Sequence, residues 1–208
     1  MKAETEIAAR PGRTFWIVLS VLAMSALVLA FLADPIVAMW LKENTSRGLR
    51  NVMSMVSRVG DWPAHVALGL LLLALAWWRG SKKWMRVFVA MLLAMALAGA
   101  VVRVIKITTG RARPTVHAEH AWNGVRLASK YHSFPSGHTA ASTAFFFTLF
   151  LARRRLGGLL LIVPAVIALS RMVVGAHYLS DVTFAAIVGI ACAMVADGGL
   201  RRWWKAPC

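Results

Sequence analysis

Six stretches of this chain, Thr14–Ala33, Trp62–Trp78, Val87–Val102, Tyr131–Ala152, Leu156–Ser170 and Val182–Ala196, run without a single Asp, Glu, Lys or Arg. Crossing about 30 Å of hydrocarbon takes roughly 20 apolar residues as a helix, and uninterrupted runs of this kind are read as spans. The expectation is an all-α integral membrane bundle of six transmembrane helices. The shorter runs can still cross where a helix continues past its first charged residue into the protein interior or the interface. Composition agrees, with 59% of the 208 residues hydrophobic and 15% charged. Six spans leave room only for loops and tails, so a single membrane-embedded domain over residues 1–208 is expected.

Lys and Arg total 24 against 8 Asp and Glu, a formal charge of +16. The basic residues fall in short clusters between apolar runs, as loops beside anionic headgroups and sites for phosphate-bearing ligands require, so no nucleic-acid partner is expected. An even number of spans puts both termini on one side, with Lys2, Arg10, Arg13, Arg79, Lys82, Lys83, Arg86, Arg153, Arg154, Arg155, Arg201, Arg202 and Lys205. Several positives of the other side have a better use as ligand groups. With those set aside, the positive-inside rule places both termini in the cytoplasm. The first run is longer than a signal-peptide core and ends in Phe31-Leu32-Ala33, a poor cleavage site, so it reads as a retained span. Trp16, Trp40, Trp62, Trp77, Trp78, Trp84, Trp203 and Trp204 cluster near span ends, the pattern of an interfacial aromatic belt, and Trp122 lies in the longest loop. Cys192 sits in an apolar run and Cys208 is the last residue, which suggests no disulfide framework.

Between the first two spans, Leu49, Val52, Met53, Val56 and Val59 recur at helical spacing, with Arg47, Arg50, Ser54, Ser57 and Arg58 opposite. That is the pattern of a short amphipathic helix lying at the membrane interface.

Three further segments carry ionisable or hydroxyl groups where spans begin or end: Lys106 to Arg113-Pro114, Pro135-Ser136-Gly137-His138, and Ser170-Arg171 to His177 and Asp181. In an alternating six-helix path all three fall on one face, away from the cytoplasm. Lys106, Arg113 and Arg171 suit the non-bridging oxygens of a phosphate, Arg offering bidentate donors. The backbone N–H groups at Ser136-Gly137, opening a helix, form an anion site. His177 and Asp181 share a face if their stretch is helical, and a carboxylate on one ring nitrogen makes the other a better nucleophile. His138, from a separate segment, can protonate a leaving alkoxide and later take a proton from water.

The three blocks resemble the type 2 phosphatidic acid phosphatase superfamily, whose pattern is K-x6-R-P, P-S-G-H and S-R-x5-H-x3-D. Every fixed letter is present here, in family order and spacing, from Lys106 to Asp181. The resemblance implies a phosphohistidine intermediate on His177, His138 as acid and base, Asp181 as orienter of His177, and phosphate held by Lys106, Arg113, Ser136, Gly137 and Arg171. It implies a membrane lipid phosphatase acting on a phosphate monoester or terminal pyrophosphate, with phosphatidic acid, phosphatidylglycerol phosphate, undecaprenyl pyrophosphate and lipid A all open. The partners are then a lipid phosphate and the bilayer, in the cytoplasmic (inner) membrane, with the site facing the periplasm or exterior.

Phosphotransfer to a second lipid by the same site is the alternative chemistry, and a non-enzymatic anion or lipid transporter is the alternative class. Only Asp181 among the carboxylates belongs to the constellation, with Asp34, Glu43, Asp61 and Glu119 scattered, so metal-independent catalysis without a cofactor is expected. No Walker-type loop suggests nucleotide hydrolysis. Outside the pattern, Arg103 and Arg111 read as snorkelling anchors, and His65, His117, His120 and His132 as satisfied polar residues. Arg126 and Lys130, in the segment from Thr115 to Phe134, suit an entrance for an anionic headgroup.

Overall fold

The computed structural model describes residues 12–116 and 118–203. Lys2, Arg10, His117, Trp204, Lys205 and Cys208, drawn on above for charge, histidine, tryptophan and cysteine arguments, lie outside the described residues. The described chain is all-helical. Helices α1 (Arg13–Asn44), α2 (Arg47–Val59), α3 (Trp62–Trp78) and α4 (Lys82–Thr109) are followed by a long connection containing one 3-10 turn, Ser129–Tyr131. Helices α5 (Gly137–Ala152), α6 (Arg154–Leu160), α7 (Ile162–Val173) and α8 (Leu179–Trp203) complete it.

By length and composition, α1, α4, α6 with α7, and α8 can each cross a membrane, and α2 with α3 forms a pair bent by 47° that passes the same test together. Helix α5 is apolar but shorter. It stands at the centre, packed on α4 and α8. On α4 the buried side chains Val87, Met91, Ala94, Ala98 and Val102 recur every three or four residues, which puts them on one stripe against α5. Small residues let the backbones close up. A Cβ placed on Gly189 of α8 would lie 2.7 Å from the Ala140 carbonyl oxygen of α5. The outer surface is oily: Leu22, Leu29, Leu32, Trp77, Trp78 and Leu159 are all exposed, as expected where lipid is the solvent.

The helices depart from the charge-free intervals in informative ways. Helix α1 does not stop at Ala33 but continues through Asp34 and Pro35 to Asn44. Asp34 is only 4% exposed, and its charge is met inside the protein, so it gives the helix no reason to end. Helix α4 likewise runs through Arg103 and Lys106, and ends where Gly110 takes a left-handed conformation at φ 55°. A side chain there would run into the Gly124 carbonyl, 2.0 Å from the Cβ position, so the loop is folded tightly over the helix end. The interval from Tyr131 starts at the end of the 3-10 turn and continues as loop. Helix α5 begins only after Pro135, with Ser136 as N-cap accepting from the Thr139 N–H.

Helix α2 forms as the periodicity predicts, and the direction of its faces adds something. Ser57 is buried and meets Arg171 of α7, whereas Val52, Met55 and Val59 are exposed. Part of the polar face, Ser54 and Ser57, thus turns into the protein, while Arg47 and Arg58 stay exposed and Met53 and Val56 of the apolar face are half-buried.

Candidate active site

The segment from Gly110 to Ser136 is stitched across one end of the bundle and brings the three sequence blocks together. Ser133 N–H donates to the Arg111 carbonyl at 3.0 Å, Arg113 N–H to the Lys130 carbonyl at 3.1 Å, and Ser136 N–H to the Asp181 carbonyl at 3.1 Å. Lys106 Nζ donates to the His132 carbonyl at 2.8 Å, which leaves two of its three protons for a ligand. The Lys106 Cε lies 3.8 Å from where a Cβ on Gly137 would be, so the ammonium stem is packed against the start of α5.

Because Ser136 N–H is bound to Asp181, the donors presented by the start of α5 are the first helical N–H groups, on Gly137 and His138. This moves the expected Ser136-Gly137 anion site along by one residue. Ser136 keeps its hydroxyl at the site, fully buried, where its oxygen accepts from Thr139 Oγ1 at 3.0 Å. The Nε atoms of Arg113 and Arg171 are buried without an acceptor. Such donors cost free energy unless something satisfies them, and an oxyanion is the natural acceptor. Arg171 also donates through Nη1 to Ser57 Oγ.

His177 lies just before α8, not within it, so the expected helical i,i+4 pairing with Asp181 is only half realised. Its Nδ1 is 2.6 Å from the Ser133 carbonyl oxygen and 3.6 Å from Asp181 Oδ2. A carbonyl can only accept, so Nδ1 carries the proton and Nε2 carries the lone pair. Asp181 therefore acts on His177 largely from behind. Its Oδ2 accepts from Ser133 Oγ at 2.5 Å and from Tyr178 N–H at 2.8 Å, fixing the loop that aims the imidazole. Burial takes the His177 pKa down to about 3, with Asp181 opposing the shift and Lys106 and Arg171 adding to it. The ring is neutral throughout the physiological range.

Asp181 is anchored from the other side by a residue that sequence reasoning read as an anchor. Arg111 is 6% exposed, not snorkelling. Its Nη1 donates to Asp181 Oδ1 at 2.5 Å and to Ser180 Oγ at 2.7 Å, while Nη2 donates to Asp34 Oδ2 at 2.6 Å. Asp34, read as scattered, accepts further from Ser180 N–H at 2.8 Å and Ser180 Oγ at 2.5 Å. The guanidinium carbon lies 4.2 Å from the centre of the Tyr178 ring and 4.9 Å from that of Trp122. Two buried carboxylates thus share one buried cation in an aromatic box. The available signal was Asp34 itself, a carboxylate in an apolar run with no near neighbour in sequence to neutralise it.

His138 comes from the first turn of α5, and its Nε2 is 3.3 Å from Asp61 Oδ1 at the start of α3. His65 and His132 are buried with ring nitrogens 3.0 Å from the Asp61 carbonyl and 2.9 Å from the Arg126 carbonyl, so both are satisfied polar groups. Arg103 and His120 are exposed. A cavity of about 410 Å³ opens beside His177 and Tyr178, with Pro114, Thr115, Lys42 and Arg50 on its wall. An apolar groove of about 600 Å³ runs between α2, α3 and α7, lined by Met55, Val56, Val59, Ala64, Leu68 and Ile167 among others.

A helical bundle with cations, two histidines and a helix N-terminus gathered at one end defines a class, the phosphate-handling membrane proteins. Residues 87–201 match the sequence model described as the PAP2 superfamily, and the chain belongs to that family. Two crystal structures are similar. That of Aquifex aeolicus LpxE is 19% identical, with 78% of this chain and 93% of that chain covered at a TM-score of 0.62. That of the first transmembrane PAP2 type phosphatidylglycerolphosphate phosphatase from Bacillus subtilis is 16% identical, with 92% and 98% covered at 0.66. At such identities the likeness establishes the fold. No curated protein matches the sequence.

Proposed function

We propose that this protein is an integral membrane lipid phosphatase that removes a phosphate monoester or terminal pyrophosphate group through a phosphohistidine on His177. The observation that carries the reading is the state of His177, buried, neutral and with Nδ1–H given to the Ser133 carbonyl, so that Nε2 is the free lone pair. A buried neutral imidazole among Lys106, Arg113 and Arg171 is poorly placed to bind an anion by charge, but it is well placed to attack one. Lys106, the two arginines, the Ser136 hydroxyl and the N–H groups of Gly137 and His138 hold the non-bridging oxygens, and their fixed charge stabilises the trigonal transition state. His138 protonates the departing alkoxide and then activates water.

The reaction needs no metal. Asp34 and Asp181, the buried carboxylates nearest the nucleophile, are already bound to Arg111, Ser133 and Ser180, and the charge of the transferred phosphoryl group is met by cationic side chains. The lipid reading is supported by the apolar groove along α2, α3 and α7, which offers room for hydrocarbon beside a polar site. The names of the two structural relatives fit this substrate class. In this reading residues 1–208 form one domain with six crossings, counting α3, α5 and the α6–α7 pair as one each, both termini cytoplasmic. The site then faces outward from the cytoplasmic membrane, with α2 at the interface.

The test is release of inorganic phosphate in mixed micelles containing EDTA, comparing the protein with its His177→Ala variant on phosphatidic acid, phosphatidylglycerol phosphate, undecaprenyl pyrophosphate and lipid A. Release that survives EDTA and disappears in the variant is expected. Equal release by a folded His177→Ala protein would remove His177 as nucleophile.

A further inference from the structure

The two histidines of the site are held by different kinds of partner. His177 gives its Nδ1–H to a neutral carbonyl, with the nearest carboxylate oxygen at 3.6 Å. Among the described residues no backbone carbonyl is hydrogen-bonded to the His138 ring, and its Nε2 lies 3.3 Å from a carboxylate oxygen, Asp61 Oδ1, an ion-pair contact. The charged and titratable groups around His138 are Arg171, Asp61, Lys106 and His65. Asp61 is the one carboxylate of that set. The cations that a phosphate needs thus stand beside this histidine too, and one negative group stands against them.

Resting on the reading of His138 as acid and base, we infer that Asp61 is the positioning residue of a second histidine–carboxylate pair, orienting His138 through its Nε2 side. The proton on the other ring nitrogen is then the one delivered. As His177 Nε2 bonds phosphorus, the bond from phosphorus to the lipid oxygen breaks, and that oxygen takes the proton from His138. In the second half, neutral His138 takes a proton from water as the water oxygen bonds phosphorus. The bond to His177 breaks, its electron pair returning to Nε2, and His138 is again protonated beside Asp61.

Asp61 also has a plain structural use, since its Oδ1 accepts from Trp62 N–H at 2.8 Å and caps α3. Capping asks for a side-chain oxygen and is served almost equally by Asn or Ser. Positioning an imidazolium asks for charge. The side chain of Asp61 is 41% exposed, so the pair contributes little to folding, where exposed ion pairs count for little.

The experiment uses the full chain in detergent micelles and two esters, phosphatidic acid with its poor alkoxide leaving group and p-nitrophenyl phosphate with an activated one. Asp61→Asn and Asp61→Ser are expected to lose about tenfold or more on phosphatidic acid and less than about threefold on the activated ester, within the range general acids supply. In a His138→Ala background, Asp61→Asn is expected to change nothing further, as residues acting as one unit are non-additive. Equal losses on both esters, or an undiminished loss on phosphatidic acid in the His138→Ala background, would overturn the pairing. A His138→Ala variant that loses equally on both esters would instead remove the acid role itself and the pairing with it. Selective loss in His138→Ala without selective loss in Asp61→Asn would remove Asp61 alone.

Discussion

Arg111→Met is the substitution on which the buried charge cluster stands or falls. The guanidinium sits between Asp34 Oδ2 at 2.6 Å and Asp181 Oδ1 at 2.5 Å, with side-chain exposures of 7%, 5% and 0% for Arg111, Asp34 and Asp181. Methionine fills similar space but leaves two carboxylates buried with no cation between them. Removing one partner of a buried pair costs about 3–5 kcal/mol, mostly the penalty of the charge left behind. The aromatic box of Tyr178 and Trp122 adds to the loss, since a desolvated guanidinium over a ring contributes about 1–2 kcal/mol. The summed loss is about 4–7 kcal/mol, and for a chain of this length about 2–4 °C of melting temperature accompanies each kcal/mol, so thermal unfolding in detergent is expected roughly 8–28 °C lower. Because Asp181 loses its lateral hold, turnover by the surviving folded fraction is expected to fall by tenfold or more. Adding Asp34→Asn to Arg111→Met removes one of the stranded charges and is expected to recover at least about 1 kcal/mol over the sum of the single effects, the coupling found for residues in one network. A snorkelling anchor would predict the opposite. If Arg111→Met melts within about 2 °C of the parent, or if the two substitutions add independently, the cluster does not act as argued.

Acid should destabilise the protein through His177. Its folded pKa of about 3 lies below the ordinary value of 6.5, so the unfolded chain binds the extra proton first. The stability it contributes is complete above about pH 6.5 and is lost as pH falls, by roughly 2 kcal/mol at pH 5; a melt series from pH 7 to 5 on the parent and His177→Gln, which lacks that titration, reads the difference. Asp181→Asn keeps the shape but weakens the grip of Ser133 and Tyr178 on the loop that carries His177, the proposed nucleophile, so kcat for lipid phosphate release should drop by about tenfold or more with KM little changed, and an unaltered kcat would take Asp181 out of the proposed mechanism. Gly189→Val forces α8 away from α5, whose Ala140 carbonyl lies 2.7 Å from the added Cβ, and a loss of about 1–3 kcal/mol is expected, checked by the melting temperature.

Much of the candidate site was legible because the chemistry proposed for it constrains residue type. A phosphate needs clustered cations, a helix start and a nucleophile, and Lys106, Arg113, Ser136, Gly137, His138, Arg171, His177 and Asp181 sit in short blocks whose spacing survives on the page. The helical class was legible in the charge-free intervals for the same reason. Helix ends were not, because a charge-free interval marks where a span can lie but not how far its helix runs past the first charge. Asp34 and Lys106 lie inside helices since their partners arrive from elsewhere in the bundle. Arg111 and Asp34 are 77 positions apart, and nothing local ties one to the other. Asp61 hides differently, behind an ordinary capping role just ahead of Trp62. The tautomer of His177 depends on the carbonyl of Ser133, a backbone atom to which the side-chain pattern gives no clue.

Helix α1 has a further consequence for where this protein can be cut. Its most apolar stretch is only 6% buried, and the residues that identify the family, 87–201, begin well after it. By both measures it looks dispensable, a tether that a shorter fragment could omit. Yet Asp34 in that helix supplies half of the negative charge that Arg111 was folded around. A fragment cut at the family boundary would carry every recognisable motif and leave its central arginine half-neutralised. The part of the chain that can be recognised is smaller than the part that must fold together.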